Sequence, residues 1–377
     1  MTERGKLQLL RGAHRTLTGL SPALESVLAA IVGLLVGAAI MYIWGYDPWR
    51  AYFALLRGAY GGSYEWASSV ARGVPLVFTA LTFSICLRAG MFNIGAEGQL
   101  YIGAVAAVTV ATFRLPSGLH LVVGLVFAAL AGALWSLGPA ILKLTRGVHE
   151  VISTIMFNWI ARFLTFYMVA YVLVDPREAQ RTLAIPPTAR FPVLMRGTDL
   201  SYSVFLAVAF ALFVYFLLWH TATGYEVRAA GLNPSAARYG GISIRRTILL
   251  SFLLGGVGAG LSGAAVVMGL PPTYAIISGL PQLANIGFDG MAVAMVGRNH
   301  PIGILLSALF FGGLNAGGRV MQFYGANPVP LEMVRVVMGA IVIAMAIPEL
   351  VRVLPALLRG LGEIRRLFVR GARKEAT

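Results

Sequence analysis

Charge is scarce in this 377-residue chain. Asp, Glu, Lys and Arg together make up 12% of it, about half the share of a soluble domain. So little charge cannot clothe a water-facing surface of this size, which excludes a soluble globular enzyme and a disordered chain. Cysteine occurs once, as Cys86, which excludes an internal disulfide framework and any C-x-x-C metal site. Lysine occurs three times, at Lys6, Lys143 and Lys374. None sits in G-x-x-x-x-G-K-[ST], so if ATP drives this protein another chain must bind it. What abounds is apolar: 58% of residues are hydrophobic, mean hydropathy is +0.78, and there are 44 glycines. This is the composition of an all-α, multi-pass membrane protein whose helices pack closely through small residues.

Apolar runs predict ten spans, at about 24–44, 72–88, 98–114, 119–142, 151–174, 203–220, 247–270, 286–297, 301–321 and 333–351. The eighth is the weakest. It is short, and Gly287 and Gly290 suggest a broken or re-entrant helix. The first follows a basic stretch without a small-x-small cleavage site and reads as an uncleaved anchor. Residues 1–22 and 353–377 read as basic tails, and 23–352 as one transmembrane domain. Alternating the loops from a cytoplasmic N-terminus puts nineteen Lys and Arg inside and ten outside. The bias predicts both termini in the cytoplasm and an even number of spans. It also accounts for the net charge of +15 without nucleic acid. The outer loop 175–202 reads as a nearly balanced surface loop.

A six-residue segment occurs twice, as Asn93-Ile94-Gly95-Ala96-Glu97-Gly98 and Asn285-Ile286-Gly287-Phe288-Asp289-Gly290. Both read N-I-G-x-acid-G. By the span count the first copy precedes a span from the inner side and the second from the outer side, as an inverted-topology repeat would place them. The halves would be about 45–174 and 221–352, five helices each. Glycines that break a helix inside a membrane leave backbone groups free, which is tolerated only against protein or a cavity.

Ionisable and amide side chains lie in or beside these spans: Glu97, Gln99, Glu150, Asn158, Arg162, Asp289 and Asn315. Each must face protein or water. For Glu97 and Asp289 two roles compete, pairing with a helix N-terminus or an arginine, and lining or gating a pathway. Phe92, Asn93, Glu97, Gln99, Asn158, Asn285, Phe288 and Asp289 are the candidate pathway residues. Glu150 and Arg162 read as structural. The longest polar inner loop, within 221–246, predicts a short helix around 224–230, a break from Gly231 to Pro234, and a second helix over Ser235 to Tyr239. Small residues on such helices suit the groove of a partner. No catalytic residue and no metal ligand set emerges.

Phe92–Gln99, F-N-I-G-A-E-G-Q, resembles the hallmark of permease subunits of bacterial ABC importers for nucleosides and simple sugars. H-E-V-I-S-T-I-M at His149–Met156 matches apart from His149, where that family has Asn. G-F-D-G-M-A-V-A-M-V-G-R-N-H-P at Gly287–Pro301 also matches. The stretch Arg228–Ile242 is similar to the family's ATPase-coupling loop, with Ala229, Ala230, Gly231, Asn233, Ala236, Ala237 and Gly241 in place. The resemblance implies a ten-helix permease in inverted halves, and two permease subunits per transporter, an unlike pair being expected and a homodimer the alternative. It further implies two ATP-binding cassette subunits that carry ATP and Mg, this chain holding no cofactor, and an extracytoplasmic substrate-binding protein, often a lipoprotein. Glu226 and Arg228 are then coupling residues beside those named.

Two other readings compete. Gly260-Leu261-Ser262-Gly263 with His300 fits the G-x-S-G of intramembrane serine proteases, but that chemistry needs His within hydrogen-bond reach of Ser. A secondary carrier or channel would need no ATPase. The cargo, nucleoside or a ribose-like simple sugar, is not legible in the residues.

Overall fold

Long apolar runs with few helix breakers leave one economical backbone solution in a bilayer, the α-helix, which satisfies its own N–H and C=O groups. The computed structural model describes residues 22–323, 329–330 and 332–344, without the side chains of 22–29 and of Ala111. The expected tails at 1–21 and 353–377, and the end of the last expected span, lie outside these residues. The described chain is mostly helical.

Two units divide it. One comprises residues 1–49 and 332–377. Its described part contains α1 (Pro22–Ile43) and a helix at 332–344. They touch at Gly33, where a Cβ would collide with the backbone of Ile341.

The other unit comprises residues 50–331. Helix α2 (Pro48–Tyr60) leads into it. Then come α3 (Ser63–Arg88), α4 (Ala96–Thr109), α5 (Leu119–Arg146), α6 (Glu150–Tyr167, continued by a π-turn to Val172), α7 (Ser203–His220), α8 (Ala222–Leu232), α9 (Pro234–Tyr239), α10 (Ile244–Gly269), α11 (Ile286–Val296) and α12 (Pro301–Met321). Six of these are long and apolar enough to cross a membrane: α3, α5, α6 with its π-turn, α7, α10 and α12. Each segment expected to span is helical over most of its described length, but two of the helices are too short. Helix α4 has 14 residues and α11 has 11, about 21 and 16 Å at 1.5 Å per residue, against a hydrocarbon core of about 30 Å.

Packing is reciprocal. Helix α3 precedes the first N-I-G-x-acid-G copy, yet packs on α11 and α12, which follow the second. Helix α10 precedes the second copy, yet packs on α4 and α5, which follow the first. Helices α3 and α10 also pack on each other. Small residues permit the close approach: a Cβ on Gly103 or Gly132 would strike the Gly260 backbone, and one on Gly312 that of Ser69 and Gly73. Hydroxyls bridge the same seams. Thr82 Oγ1 donates to Gly255 O at 2.7 Å and Ser136 Oγ to Phe252 O at 2.8 Å. Ser262 Oγ donates to Pro75 O at 2.9 Å, beside the proline that interrupts the α3 ladder.

The loop 175–202 is more than a surface loop. Strands β1 (Val174–Asp175) and β2 (Glu178–Thr182) form an antiparallel hairpin. The chain beyond is tied to the segment after α10: Thr182 N–H donates to Ile276 O at 2.9 Å and Ile185 N–H to Tyr274 O at 2.7 Å. Arg190 stacks its guanidinium 4.1 Å from the Tyr274 ring centroid. Thr182, Ile185, Ala189 and Phe191 are buried, and the last three join a core with Leu100, Ala104, Met268 and Ile276. Charge balance alone had hidden this, because the apolar anchors are few and Pro186 and Pro187 break any period among them.

Candidate functional site

The two motif copies meet. Residues 89–95 lead inward from the end of α3, and 270–285 lead inward from the end of α10. Helices α4 and α11 therefore start at one junction. Its depth is set by α3: Thr79 Oγ1 donates to Ile286 O at 3.1 Å, and a Cβ on Gly290 would collide with the Thr79 side chain. Thr79 lies nine residues from Arg88 and sixteen from Ser63, so the junction sits well inside α3's length. The expectation of copies at opposite faces gives way to copies that enter from opposite ends and meet.

Glu97 joins them. Its Oε1 accepts Asn285 N–H at 2.6 Å and the Tyr101 hydroxyl at 2.6 Å, and its Oε2 accepts Gly287 N–H at 2.6 Å. It is 3% exposed. The N-terminal N–H groups of a helix have no intrahelical acceptor, and the positive end of the macrodipole favours a carboxylate. Asn285 does not cap its own helix: it sits in the left-handed region at φ 69° with no capping side-chain bond. Glu97 performs that function from the other copy. Gly287 must be glycine for the approach, since a Cβ there would collide with the Glu97 backbone.

The α4 start is held by Asn158 of α6. Asn158 Oδ1 accepts Gly98 N–H at 2.8 Å, and Nδ2 donates to Ile94 O at 2.9 Å. Asn93 folds back to accept Gly95 N–H at 2.8 Å, and Gln99 Nε2 reaches Asn93 Oδ1 at 3.5 Å. Asn93, Gln99 and Asn158 are buried, whereas Phe92 is 40% and Phe288 41% exposed. Asn285 is exposed and Asp289 half-buried in the first turn of α11. Phe92 packs edge-on against Phe83 at 5.0 Å. The eight candidate residues thus split into buried Asn93, Glu97, Gln99 and Asn158 and the more exposed Phe92, Asn285, Phe288 and Asp289. Glu150 pairs with Lys143 at 2.7 Å, and Arg162 lies over the Trp159 ring, as expected of structural groups. Thr79 was missed; its signal was a hydroxyl four residues after Pro75 in an apolar run.

The polar inner loop folds as two short helices, α8 and α9. The break is narrower than expected. Gly231 stays inside α8, and Asn233 alone parts the helices, its Oδ1 accepting Ser235 and Ala236 N–H at 3.1 Å. Val227 and Ala230 are buried, Glu226, Arg228 and Ala229 half-buried, and Tyr225, Leu232 and Tyr239 exposed. Gly241 turns the chain at φ 82°. At Gly231 the helix lies flat on the chain leaving α3, where a Cβ would collide with the Arg88 carbonyl and come within 2.9 Å of Gly90 N. Gly90 is three residues before the first motif copy.

The protease pair does not form. Ser262 is fully buried and bonded to Pro75, while His300 packs against Trp219 at 4.9 Å.

Half-helices of an internally repeated bundle, meeting N-terminus to N-terminus partway through it, define a membrane transport protein of permease type. Residues 66–346 match the family described as branched-chain amino acid transport system / permease component, and the chain belongs to that family. It is similar to the guanosine ABC transporter permease protein NupP of Bacillus subtilis, with 38% identity over 87% of this chain and 94% of the relative. It is also similar to the nucleoside ABC transporter permease protein NupB of Lactococcus lactis, with 34% identity over 88% and 92%. The glucose ABC transporter permease protein TsgB13 of Haloferax volcanii shares 30% identity over 86% and 87%. The chain is a multi-pass permease subunit and not an enzyme.

Proposed function

We propose that this chain is the membrane-spanning subunit of an ATP-driven nucleoside importer in a bacterial inner membrane. The observation that carries the mechanism is the joint at Glu97, where one half-helix is capped by a side chain of the other. Nucleoside as cargo is supported by the names of the two relatives at 38% and 34% identity. The exposed rings of Phe92 and Phe288 offer a nucleobase flat apolar faces beside polar groups that suit ribose hydroxyls. The relative named for glucose keeps a simple-sugar cargo as the second reading.

In this account ten helices form two inverted halves, with both termini and the loop 221–246 in the cytoplasm. Reciprocal packing of α3 and α10 on the opposite half's helices supports the inverted arrangement. Two ATP-binding subunits carry ATP and Mg and seat α8 and α9. A second, unlike permease completes the pathway, and an extracytoplasmic binding protein delivers cargo. Closure of the ATPases on ATP moves α8. Gly231 passes the displacement through Arg88 and Gly90 to the chain that ends at Asn93 and Glu97. Because Glu97 holds the start of α11, both half-helices shift together, and access switches between faces. The ATPases need only bind one access state more tightly than the other.

Uptake of labelled guanosine and labelled glucose by cells expressing the complete transporter tests the cargo. Guanosine uptake that stops on ATP depletion is expected. Glucose uptake without guanosine uptake would transfer the assignment to sugars, and uptake indifferent to ATP would mark a secondary carrier.

A further inference from the structure

Where α3, α7 and α11 end together, three arginines line one hollow. Arg88 is the last residue of α3, Arg228 lies on α8, and Arg298 sits in the turn between α11 and α12. With Asn299, Gly231 and Leu232 they line an open cavity of about 430 Å³, with no acid among the described residues that line it. The arginines are held in place. Arg88 Nη2 donates to Asn299 O at 3.1 Å, and Ser84 Oγ donates to the same carbonyl at 2.9 Å. Arg88 and Arg228 share the Trp219 ring, with guanidinium carbons 5.3 and 5.9 Å from its centroid. Arg298 and Asn299 both adopt φ 53°, a left-handed conformation that costs non-glycine residues energy and persists where surrounding structure enforces it. Two cations on one aromatic ring, in a cavity that Arg298 also lines and whose described lining residues include no acid, form a positive hollow that suits an anion.

The location selects the anion. The cavity lies at the ends of membrane helices, roofed by α8 where Gly231 rests on the end of α3. Trp219 lies at the end of α7, and Tyr215 and His300 pack around it, the aromatic environment of a headgroup layer. From this end α7 carries the exposed side chains Phe216, Phe213, Leu212 and Phe205, an apolar track for acyl chains. Basic pockets between membrane helices on the cytoplasmic side suit anionic headgroups. We propose that this cavity is a phosphate site occupied by the headgroup of an anionic phospholipid. A lipid held there would wedge between α8 and the end of α3, and so tune the contact that passes ATPase motion inward. The site itself does not rest on the cargo or on the ATPase assignment.

The test uses the full purified chain in detergent, with bound lipid read by native mass spectrometry. Phosphatidylglycerol is expected to bind at least tenfold more tightly than phosphatidylcholine. The double variant Arg88→Gln, Arg298→Gln is expected to lose that preference. Leu232→Glu places a carboxylate at the rim on an exposed residue that folding does not need, and is expected to weaken phosphatidylglycerol at least tenfold. Unchanged retention in both variants would overturn the proposal. Arginine-dependent binding of inorganic phosphate, with phosphatidylglycerol unaffected by the substitutions, would overturn the lipid as its source. Variants that keep the lipid but no longer co-purify with an ATPase would give the cavity to an acidic side chain of that partner instead.

Discussion

A carboxylate in the middle of a membrane protein costs about 2.5–3.5 kcal/mol even on lenient insertion scales, so Glu97 needs strong partners. It has three donors within 2.6 Å, two of them backbone groups 188 and 190 residues away. Gly287 is the counterpart that lets the backbones approach. Gly287→Ala is expected to force the α11 start off Glu97 at an overpacking cost of about 1–3 kcal/mol. It should lower the melting temperature of the solubilised protein by several degrees; an unchanged transition would mean the joint has slack. At the other end of α11, burial and the nearby Arg88 charge push His300 below its usual value of 6.5. Above 6.5 the ring is neutral folded or unfolded. As pH falls below that value the folded chain binds fewer protons than the unfolded one, so stability is lost with acidification. His300→Gln should flatten that part of a stability-versus-pH curve relative to wild type. What the sequence showed at this scale was the acid and the glycines; it did not show who met whom. The repeat marked both copies, but a bond from Glu97 to Asn285 leaves no local trace, and Asn158 as the cap of α4 lies sixty residues from the group it holds.

Helices α4 and α11 are elements that could not exist alone in lipid, because each starts partway through the bundle and exposes N–H groups there. Side chains from another copy and another helix complete them, and this makes them responsive to motion elsewhere. The weakness of 286–297 as a span was readable from its length and its glycines. The end of 98–114 was not, because Val110, Ala111 and Phe113 continue the apolar run past the end of α4 at Thr109. The polar loop 221–246 was legible as two short helices, since small residues, Asn233 and Pro234 carry local signals. Its seat on Gly90 was not. Gly231→Leu should wedge α8 away from Arg88 and Gly90. Guanosine uptake is expected to fall at least tenfold while membrane insertion and ATP hydrolysis by the assembled transporter persist. Replacing Glu226 and Arg228 together should uncouple in the same sense. Wild-type uptake in either variant would show that motion enters by another route.

At the scale of the whole molecule, each half's leading long helix, α3 or α10, packs on the other half's short helix and its successor. The exchange ties together the segments around the two motif copies, and it explains the glycines at these seams: crossings among α3, α4, α5, α10 and α12 bring backbone against backbone. Composition fixed the class, and the lysine and arginine bias predicts the orientation. That orientation is open to a direct test in a Cys86→Ser background. Arg238→Cys should react with an impermeant thiol reagent only from the cytoplasmic side, and Gly197→Cys only from outside; the reverse pattern would invert the topology. The hairpin of 174–182 and its ties to 274–278 escaped the sequence, because pairing between two irregular segments ninety residues apart has no periodicity to read. Guanosine uptake by wild type and Glu97→Gln at matched membrane levels decides whether the Glu97 joint carries the transport cycle. Gln offers one acceptor oxygen to three donors, and a buried donor left unpaired costs about 1–3 kcal/mol. Uptake should therefore fall about tenfold or more with the transporter still assembled, whereas wild-type uptake in Glu97→Gln would contradict the account.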